Sequence, residues 1–282
     1  MAKPPPTVKT VARLRKQISA WREAGDKIAL VPTMGALHEG HLSLVKLAIK
    51  KADRTVVSIF VNPEQFAPHE DFDAYPRDEK SDAKKLGELG TDLIFAPSRD
   101  EVYPEGFSTA VEVSGLTEGL CGRSRPHFFG GVATVVAKLL LQCLPDIAIF
   151  GEKDYQQLLV IQRLVRDLDI PVQILGGATV REDDGLAMSS RNEYLAATDR
   201  AKAPLLYQTI TDAARALADG AEVAVALETA YATLADAGFE VDYLEVRNAE
   251  DLSPVAGTVE EPARVFAAAI LGQTRLIDNV AI

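Results

Sequence analysis

The chain has 282 residues, of which 47% are hydrophobic and 25% are charged, as in ordinary globular proteins of one or two domains. Its formal net charge of −11 argues against a broad surface for nucleic acid or anionic membranes, so any basic residues that bind an anion must converge locally. Two cysteines are too few for a disulfide framework and favour a reducing, cytoplasmic location.

Neither a secretory signal nor a membrane anchor is expected. Residues 1–10 are rich in proline and polar side chains and lack the apolar core of a signal peptide. The strongly apolar stretch at residues 132–144 is too short to span a bilayer and is interrupted by Lys138 and Gln142.

The first 180 residues alternate short apolar strands with amphipathic helices. We predict strands at residues 27–31, 55–61, 93–96, 147–150 and 172–175, and helices at residues 8–23, 41–52, 79–89, 132–142 and 155–167. This alternation is typical of an α/β fold with a parallel sheet covered on both faces. Such sheets bind ligands beyond the carboxyl ends of their strands, where the strand order reverses.

The alternation stops near residue 180. Predicted helices at residues 197–218 and 223–237 precede predicted strands at residues 240–246, 264–269 and 274–280. We therefore predict two domains, residues 1–179 and a smaller α+β domain of residues 180–282. The connection is rich in Gly and Asp, which is typical of the hinge of a lid, although a rigidly packed subdomain fits equally well.

The segment after the first long strand places two glycines and two histidines where a helix begins. It reads Pro32-Thr33-Met34-Gly35-Ala36-Leu37-His38-Glu39-Gly40-His41. A helix N-terminus suits phosphate because it presents free N–H groups and a positive dipole end. His38 and His41 lie about one turn apart and can reach the same anion. Their H-x-G-H spacing is that of enzymes that use ATP by attack at its α-phosphate.

Two other interpretations of this segment stay open at this point. A zinc site is disfavoured, because two histidines are too few ligands and the H-E-x-x-H spacing is absent. The histidines could also be incidental residues of a glycine-rich turn.

Later loops at the same edge carry further candidates. Lys153 and Arg191 suit phosphate clamps, and Ser189 and Ser190 add hydroxyl donors; the alternative is an ordinary solvated loop. The side-chain amides of Gln65 and Gln157 suit a small hydroxy acid, because a neutral amide orients a carboxylate without quenching its nucleophilicity. The alternative is that these are surface glutamines.

Five segments occur in the order and spacing of the pantothenate synthetase family. They are residues 32–41, Phe60-Val61-Asn62-Pro63-Glu64-Gln65-Phe66, Asp73-Ala74-Tyr75-Pro76-Arg77, Phe150-Gly151-Glu152-Lys153-Asp154-Tyr155-Gln156-Gln157 and residues 184–191. The resemblance is close over residues 27–194 and holds for the remainder in length and element order.

The resemblance implies a fold and a reaction. The fold is a Rossmann-like domain of the nucleotidyltransferase superfamily with a parallel sheet, followed by a smaller α+β C-terminal domain. The implied protein is a cytoplasmic homodimer joined through its N-terminal domains. It condenses (R)-pantoate with β-alanine to pantothenate through a pantoyl-adenylate, and ATP is cleaved to AMP and pyrophosphate.

The resemblance also implies residue roles. His41 acts as the acid, and His38, Lys153 and Arg191 complete the catalytic set. Pantoate binds to Gln65 and Gln157, with Asn62, Tyr75 and Arg125. Mg²⁺ bridges the ATP phosphates, and Asp82 is the residue expected to assist it. The ATP-binding residues are Met34, Gly35, Ala36, Leu37, His38, Glu39, Gly40, His41, Gly151, Glu152, Lys153, Asp154, Val180, Met188, Ser189, Ser190 and Arg191.

One segment departs from the family pattern. The family usually reads Arg-Pro-x-His-Phe-x-Gly-Val, whereas this chain has Arg125-Pro126-His127-Phe128-Phe129-Gly130-Gly131-Val132, with the histidine one position early. We expect Arg125 and backbone donors to serve the pantoate pocket without His127, because neighbouring side chains in extended backbone point to opposite faces.

Two alternative functions remain at this stage. A simple nucleotidyltransferase would use the same phosphate clamp, but Gln65 and Gln157 favour a carboxylate substrate. A non-catalytic nucleotide-binding module or synthetase-like tRNA binder would need a basic surface, which a net charge of −11 argues against.

Overall fold

The computed structural model describes residues 3–67 and 72–282. The chain divides into two compact units. The first comprises Met1–Ser114, Arg125–Glu152 and Val160–Ala178, and the second comprises Gly115–Ser124, Lys153–Leu159 and Thr179–Ile282. The predicted domain boundary at residues 179 and 180 stays a prediction.

The first unit is built on a parallel sheet. Within the described residues its strands are β1 (Thr7–Val8), β2 (Ile28–Thr33), β3 (Arg54–Ile59), β4 (Leu93–Phe95), β5 (Ile147–Gly151) and β6 (Gln173–Gly177). Their order is β1-β4-β3-β2-β5-β6, and each neighbouring pair is parallel. The predicted α/β class with a parallel sheet is confirmed.

Helices cover this sheet and supply its apolar core. They are α1 (Val11–Glu23), α2 (Glu39–Lys51), α3 (Glu79–Leu89), α4 (Arg99–Val102) and α6 (Phe128–Cys143), together with the part of α7 (Tyr155–Asp167) that follows residue 159. One core cluster packs Val45 of α2 and Leu86 of α3 against Val31, Val57 and Ile149 of the sheet. Burial of such side chains stabilises each by about 1.5–3 kcal/mol relative to exposure.

The start of the first helix differs from the sequence prediction. We predicted a helix from residue 8, but Thr7 and Val8 pair with Ile94 and Phe95 as a short parallel edge strand. The helix begins at Val11, after Thr10 caps it by accepting a hydrogen bond from the N–H of Arg13 at 3.3 Å. Two residues are too few to show a strand period, so only the distant partner strand identifies them.

The second unit joins helices to an antiparallel sheet. Its strands are β7 (Glu240–Asn248), β8 (Ala263–Leu271) and β9 (Thr274–Ala281), paired in the order β7-β8-β9 within the described residues. Its helices are α5 (Cys121–Ser124), α8 (Ala197–Lys202), α9 (Leu205–Ala218) and α10 (Val223–Asp236). Buried residues of α9, α10 and β8 form its core, which confirms the α+β prediction for the C-terminal part.

The predicted helix over residues 197–218 was wrong in one respect. It is two helices, α8 and α9, with Pro204 at the N-cap of α9. Proline has no N–H to donate to the preceding turn, so the first helix ends before it. In the described part of the chain, no helix is long and apolar enough to cross a membrane.

Candidate functional site

The sheet reverses its strand order at β2. The chain moves from β2 to β3 and β4 on one side, and returns later to β5 and β6 on the other. The segment at residues 34–41 follows the carboxyl end of β2, and Gly151 ends β5 beside it. This is the place where open parallel sheets bind their ligands, as the sequence predicted.

The chain turns sharply where it leaves β2. Gly35 has φ of 83° and Ala36 has φ of 50°, so two consecutive residues adopt the left-handed conformation. A Cβ on Gly35 would lie 3.1 Å from Cγ2 of Ile59 and 3.2 Å from Oδ2 of Asp82, which is tighter than most Cβ contacts and adds to the strain of the positive φ. The N–H groups of Ala36 and Leu37 donate to the two carboxylate oxygens of Asp82, at 2.9 and 2.8 Å.

The two histidines lie together at the N-terminus of α2. Nδ1 of His38, the N-cap residue, accepts from the N–H of Gly40 at 3.2 Å, and Nδ1 of His41 accepts from the N–H of His38 at 3.4 Å. Their ring centroids are 4.1 Å apart. Because each Nδ1 accepts, the neutral rings carry their protons on Nε2, from which both can donate to an anion.

A network of amides surrounds Asn62 at the end of the next strand. Oδ1 of Asn62 accepts from the N–H of Glu64 at 3.3 Å, and its Nδ2 donates to the carbonyl of Gly131 at 3.1 Å and to Oε1 of Gln65 at 3.1 Å. Nε2 of Gln65 lies 3.2 Å from Sδ of Met34. The predicted residues Asn62, Gln65 and Met34 are therefore brought together.

Two residues that the sequence did not single out support this network. The hydroxyl of Tyr103 donates to Oδ1 of Asn62 at 2.8 Å. Burial raises the pKa of Tyr103, so its hydroxyl keeps its proton. A Cβ on Gly131 would lie 2.1 Å from the carbonyl oxygen of Glu64, so only glycine lets α6 approach residues 63–65 this closely. No local motif marks either residue, because both act on a distant part of the chain.

The segment with the shifted histidine is not extended, which corrects the physical reason given for it. His127 lies in the right-handed helical region, at the N-cap of α6, and its side chain is exposed and makes no capping hydrogen bond. Arg125 donates to the main-chain carbonyl of Gln65 at 3.1 Å, and its guanidinium lies 4.0 Å from the centre of the Phe128 ring. The structure thus brings Arg125 to the Gln65 cluster. Its role toward pantoate stays a prediction.

Two other predicted site residues, Tyr75 and Asp82, are almost fully buried. Tyr75 is 5% exposed and packs edge-on against Phe66. Asp82 is 1% exposed, and burial raises the pKa of its carboxyl although the amides of Leu37 and Ala36 act in the opposite direction. Their predicted roles, pantoate binding and help with magnesium, stay predictions. Among the described residues no cluster of three or more His, Cys, Asp or Glu side chains could hold a metal ion.

Lys153 follows β5 and belongs to the second unit. Its carbonyl accepts a hydrogen bond at 3.0 Å from Nδ2 of Asn279, a buried residue of β9. Oδ1 of Asn279 accepts in turn from Nε of Arg264 at 2.8 Å. Nζ of Lys153 lies 3.9 Å from the Asp154 carboxylate, so this neighbour neutralises its charge only weakly. Asn279 is a further residue that the sequence did not indicate.

The segment at residues 180–191 is a short hairpin. Main-chain hydrogen bonds join Met188 to Val180 and Glu182 to Leu186. Arg181 forms a two-pronged ion pair with the buried Asp278 at 2.6 and 3.0 Å. Arg200 binds the Glu182 and Asp184 carboxylates, which holds the pKa of Asp184 below its usual value.

Four of the predicted ATP-binding residues lie at the end of this hairpin. Oγ of Ser189 accepts from the N–H of Arg191 at 3.2 Å as the N-cap of a short 3₁₀ helix, Ser190–Tyr194. A hydroxyl that accepts in this way can still donate its own hydrogen. Met188, Ser189, Ser190 and Arg191 therefore lie in one turn of the second unit.

The two neighbouring glutamines of α7 have different environments. Gln156 is buried and donates to the carbonyls of Leu116 and Gly119, both at 2.8 Å, so it stabilises the fold of residues 115–124. Gln157, the predicted ligand, is half-buried and lies one position further around the helix. It does not share the structural contacts of Gln156.

Comparison with known proteins identifies the family of this chain. The sequence profile of the family described as Pantoate-beta-alanine ligase matches residues 6–281. The chain belongs to the pantoate–β-alanine ligase family. The pantothenate synthetase of Paramagnetospirillum magneticum is 59% identical over 276 residues, which cover 98% of this chain and 97% of that protein.

Solved structures agree with this assignment. The pantothenate synthetase of Thermus thermophilus superposes with a TM-score of 0.92 at 48% identity, and the match covers 98% of both chains. A pantoate–β-alanine ligase from Francisella tularensis, complexed with β,γ-ATP and β-alanine, gives a TM-score of 0.79 at 34% identity and covers 98% of this chain and 97% of that one. The predicted Rossmann-like fold is confirmed.

The family assignment also decides between the predicted functions. The reaction of the family is the ATP-dependent condensation of pantoate with β-alanine, and the protein is a ligase of pantothenate biosynthesis. The alternatives of a simple nucleotidyltransferase and of a non-catalytic nucleotide or tRNA binder are thereby set aside.

Proposed function

We propose that the chain carries out the ligase reaction in two steps, with the residues described above in separate roles. In the first step a carboxylate oxygen of (R)-pantoate attacks the α-phosphorus of ATP. An O–P bond forms, the bond to the β-phosphate oxygen breaks, and pyrophosphate leaves. In the second step the amine of β-alanine attacks the acyl carbon of the adenylate, loses a proton and forms the amide as AMP departs.

The observation that carries this proposal is the hydrogen-bonding pattern that the two histidines share. Both Nδ1 atoms accept main-chain N–H groups, so His38 and His41 present Nε2–H donors at the N-terminus of α2. Fixed donors of this kind stabilise charge that develops in the transition state without having to reorganise. In the proposed mechanism His41 donates to the α-phosphate and the departing oxygen, and His38 supports it.

Two basic residues and two serines are also assigned to the phosphates of ATP in this proposal. Lys153 and Arg191 supply positive charge, and Ser189 and Ser190 supply hydroxyl donors to the phosphate oxygens. Met34–His41, Gly151–Asp154, Val180 and Met188 are assigned to the remainder of the nucleotide. The complex from Francisella tularensis supports ATP and β-alanine as substrates of this chain.

Pantoate is assigned to the amide cluster. Nε2 of Gln65 is held as a donor by Asn62, and a donor of this kind suits a carboxylate or hydroxyl oxygen. Gln157 and Arg125 are proposed to bind the same substrate.

Magnesium is proposed to enter with the nucleotide. Mg²⁺ keeps several waters and commonly binds through substrate phosphates with one or two carboxylates, so it needs no protein cage. Binding through the nucleotide is compatible with the described residues, among which no cluster of three or more His, Cys, Asp or Glu side chains could hold a metal ion. When bound, the ion would neutralise charge on the phosphates, and the Asp154 carboxylate, which is 45% exposed, would be available to hold it.

We also propose a cytoplasmic homodimer joined through the first unit. The free and buried thiols of Cys121 and Cys143 are compatible with a reducing compartment. Light scattering after size exclusion tests the assembly, since a monomer at micromolar concentration would contradict it.

Oxygen transfer tests the proposed first step. With pantoate labelled with ¹⁸O in its carboxylate, attack at the α-phosphorus leaves one labelled oxygen in AMP after β-alanine has reacted. We expect the label in AMP and none in pyrophosphate. Label in pyrophosphate would indicate attack at the β-phosphorus, and unlabelled AMP would contradict an acyl-adenylate.

A further inference from the structure

The turn at residues 35–37 depends on a contact from a different helix. Ala36 has a φ of 50°, a backbone conformation that residues with a Cβ rarely adopt. Consecutive N–H groups in such a bend form a concavity that binds an anion. Here the occupant of the concavity is the carboxylate of Asp82, in α3, which accepts from the N–H groups of Ala36 and Leu37.

A second residue of α3 contacts the same turn at a carbonyl group instead of at its amides. Nζ of Lys85 donates to the carbonyl oxygen of Leu37 at 2.5 Å. Asp82 and Lys85 are three positions apart, which places them on neighbouring turns of one helix face. Between them they bind one carbonyl and two amides of the two residues that immediately precede His38.

The contacts of Asp82 do not fit a metal ligand. Both carboxylate oxygens already accept main-chain hydrogen bonds, and the residue is 1% exposed. A magnesium ion keeps several water ligands, and a carboxylate that is 1% exposed and already holds two main-chain amides is poorly accessible to such a hydrated ion.

We propose that Asp82 and Lys85 are positioning residues that set the ATP-binding loop for catalysis, and that Asp82 does not bind the metal. This inference rests on the proposed function of residues 34–41. Leu37 is followed directly by His38, the N-cap of α2, so the position of the turn determines where the Nε2 donors of His38 and His41 lie. Loss of the anchor would therefore misplace the donors without removing any group that touches substrate.

The decisive variant is Asp82→Asn in the full chain. An asparagine keeps one acceptor oxygen but turns an NH₂ group toward the second main-chain N–H, so one amide loses its partner. We expect the KM for ATP in ATP–pyrophosphate exchange to rise about tenfold or more and kcat to fall, because loss of one partner of a buried hydrogen bond is this costly. The KM for pantoate at saturating ATP should change little.

Magnesium separates the proposal from a metal-binding role. At a fixed concentration of the Mg–ATP complex, the half-saturating free Mg²⁺ should be the same for Asp82→Asn and the unaltered chain. A defect that excess Mg²⁺ or Mn²⁺ repairs would overturn the proposal, as would an unchanged KM for ATP.

Two further variants guard against a general effect on α3. Lys85→Met should also raise the KM for ATP, by a smaller factor. This variant tests the positioning role if Asp82→Asn does not fold. Glu88→Gln makes a comparable amide-for-carboxylate change at an exposed position of α3 and should match the unaltered chain. An equal defect in Glu88→Gln would contradict positioning.

Hydrogen exchange gives a readout that does not depend on activity. The amides of Ala36 and Leu37 should be protected in the unaltered chain and should exchange faster in Asp82→Asn, while the amides of β2 stay protected. If the unaltered chain catalysed no pyrophosphate exchange, the proposed function would fail. The protection of the two amides would still show whether Asp82 anchors the turn. Equal protection in both chains would overturn the inference.

Discussion

Nδ2 of Asn62 donates a hydrogen bond to Oε1 of Gln65 at 3.1 Å, and this contact determines which end of the Gln65 amide faces a ligand. The orientation of Asn62 is itself fixed, because the N–H of Glu64 must find an acceptor and the carbonyl of Gly131 must find a donor. Oε1 of Gln65 is therefore engaged, and its Nε2, which donates one hydrogen to Sδ of Met34 at 3.2 Å, has a second hydrogen to donate.

Gln65→Glu should damage pantoate binding more than ATP binding. The change replaces the donor by an oxygen and adds a negative charge toward an anionic substrate. We expect the apparent KM for pantoate to rise about 10- to 100-fold, as for loss of a hydrogen bond to a charged group, with a smaller change for ATP. Steady-state kinetics with each substrate varied measures this. Gln208→Glu, at an exposed position of α9, is the matched control, and a defect confined to ATP would mean that the pantoate assignment is wrong.

Tyr103→Phe should weaken the same site indirectly. The variant removes the hydroxyl that donates to Asn62 and leaves the ring in place. We expect the free energy of unfolding to fall by about 1 kcal/mol and the KM for pantoate to rise a few-fold, with ATP unaffected. Urea unfolding and kinetics test both. Tyr231→Phe, at a position that is 52% exposed, should change neither value.

His41→Ala should lower the rate of adenylation by about 100- to 10,000-fold, as for loss of a general acid or a phosphate donor. Single-turnover formation of pyrophosphate measures the step. The matched control is His127→Ala, because this histidine is exposed and its side chain does not cap α6. A His41→Ala rate within a few-fold of normal, or an equally large loss in His127→Ala, would remove the assigned role.

Acidification should loosen the hairpin at residues 180–191. Hydrogen bonds from Arg200 hold the pKa of Asp184 below its ordinary value of 3.8. A lowered folded-state pKa means that the stabilisation is present above the unfolded value and is lost as the pH falls through the folded value. The melting temperature of Asp184→Asn should therefore lie below that of the unaltered chain at pH about 6, and the difference should shrink below pH about 4.

The neighbouring residue supplies the control for this titration. Asp183 is also exposed, and Asp183→Asn should leave the dependence of melting temperature on pH unchanged. A difference between Asp184→Asn and the unaltered chain that does not shrink at all between pH about 4 and pH about 2 would contradict the assignment, because the stabilisation is lost as the carboxyl becomes protonated.

The sequence predicted features that depend on neighbouring residues. The apolar runs before Pro32 and Asp154 identified two central strands, and the glycine and histidine spacing after the first marked a ligand-binding loop. The same reasoning failed at Val8 and at Pro204, where a distant strand and a missing N–H overrode the apolar period. Recognition of the family depended on several such local motifs in a fixed order.

Contacts between distant positions were beyond that reasoning. Tyr103 supports Asn62 across 41 positions, Asp82 anchors Leu37 across 45, and Asn279 holds Lys153 across 126. Each of these residues is an ordinary polar side chain in its own segment, and only the packing of two elements reveals its partner. The prediction that Asp82 assists magnesium came from the family resemblance and stays a prediction; the sequence alone did not show that its carboxylate accepts from the amides of Ala36 and Leu37.

Isotope exchange between ATP and labelled pyrophosphate, with pantoate present and β-alanine absent, tests the central claim most directly. A reversible adenylation at the α-phosphate predicts that label enters ATP only when pantoate is present, and that His41→Ala suppresses the exchange. Absence of exchange while the complete reaction still forms pantothenate would contradict the adenylate, and exchange without pantoate would show that pantoate is not the acceptor in the first step.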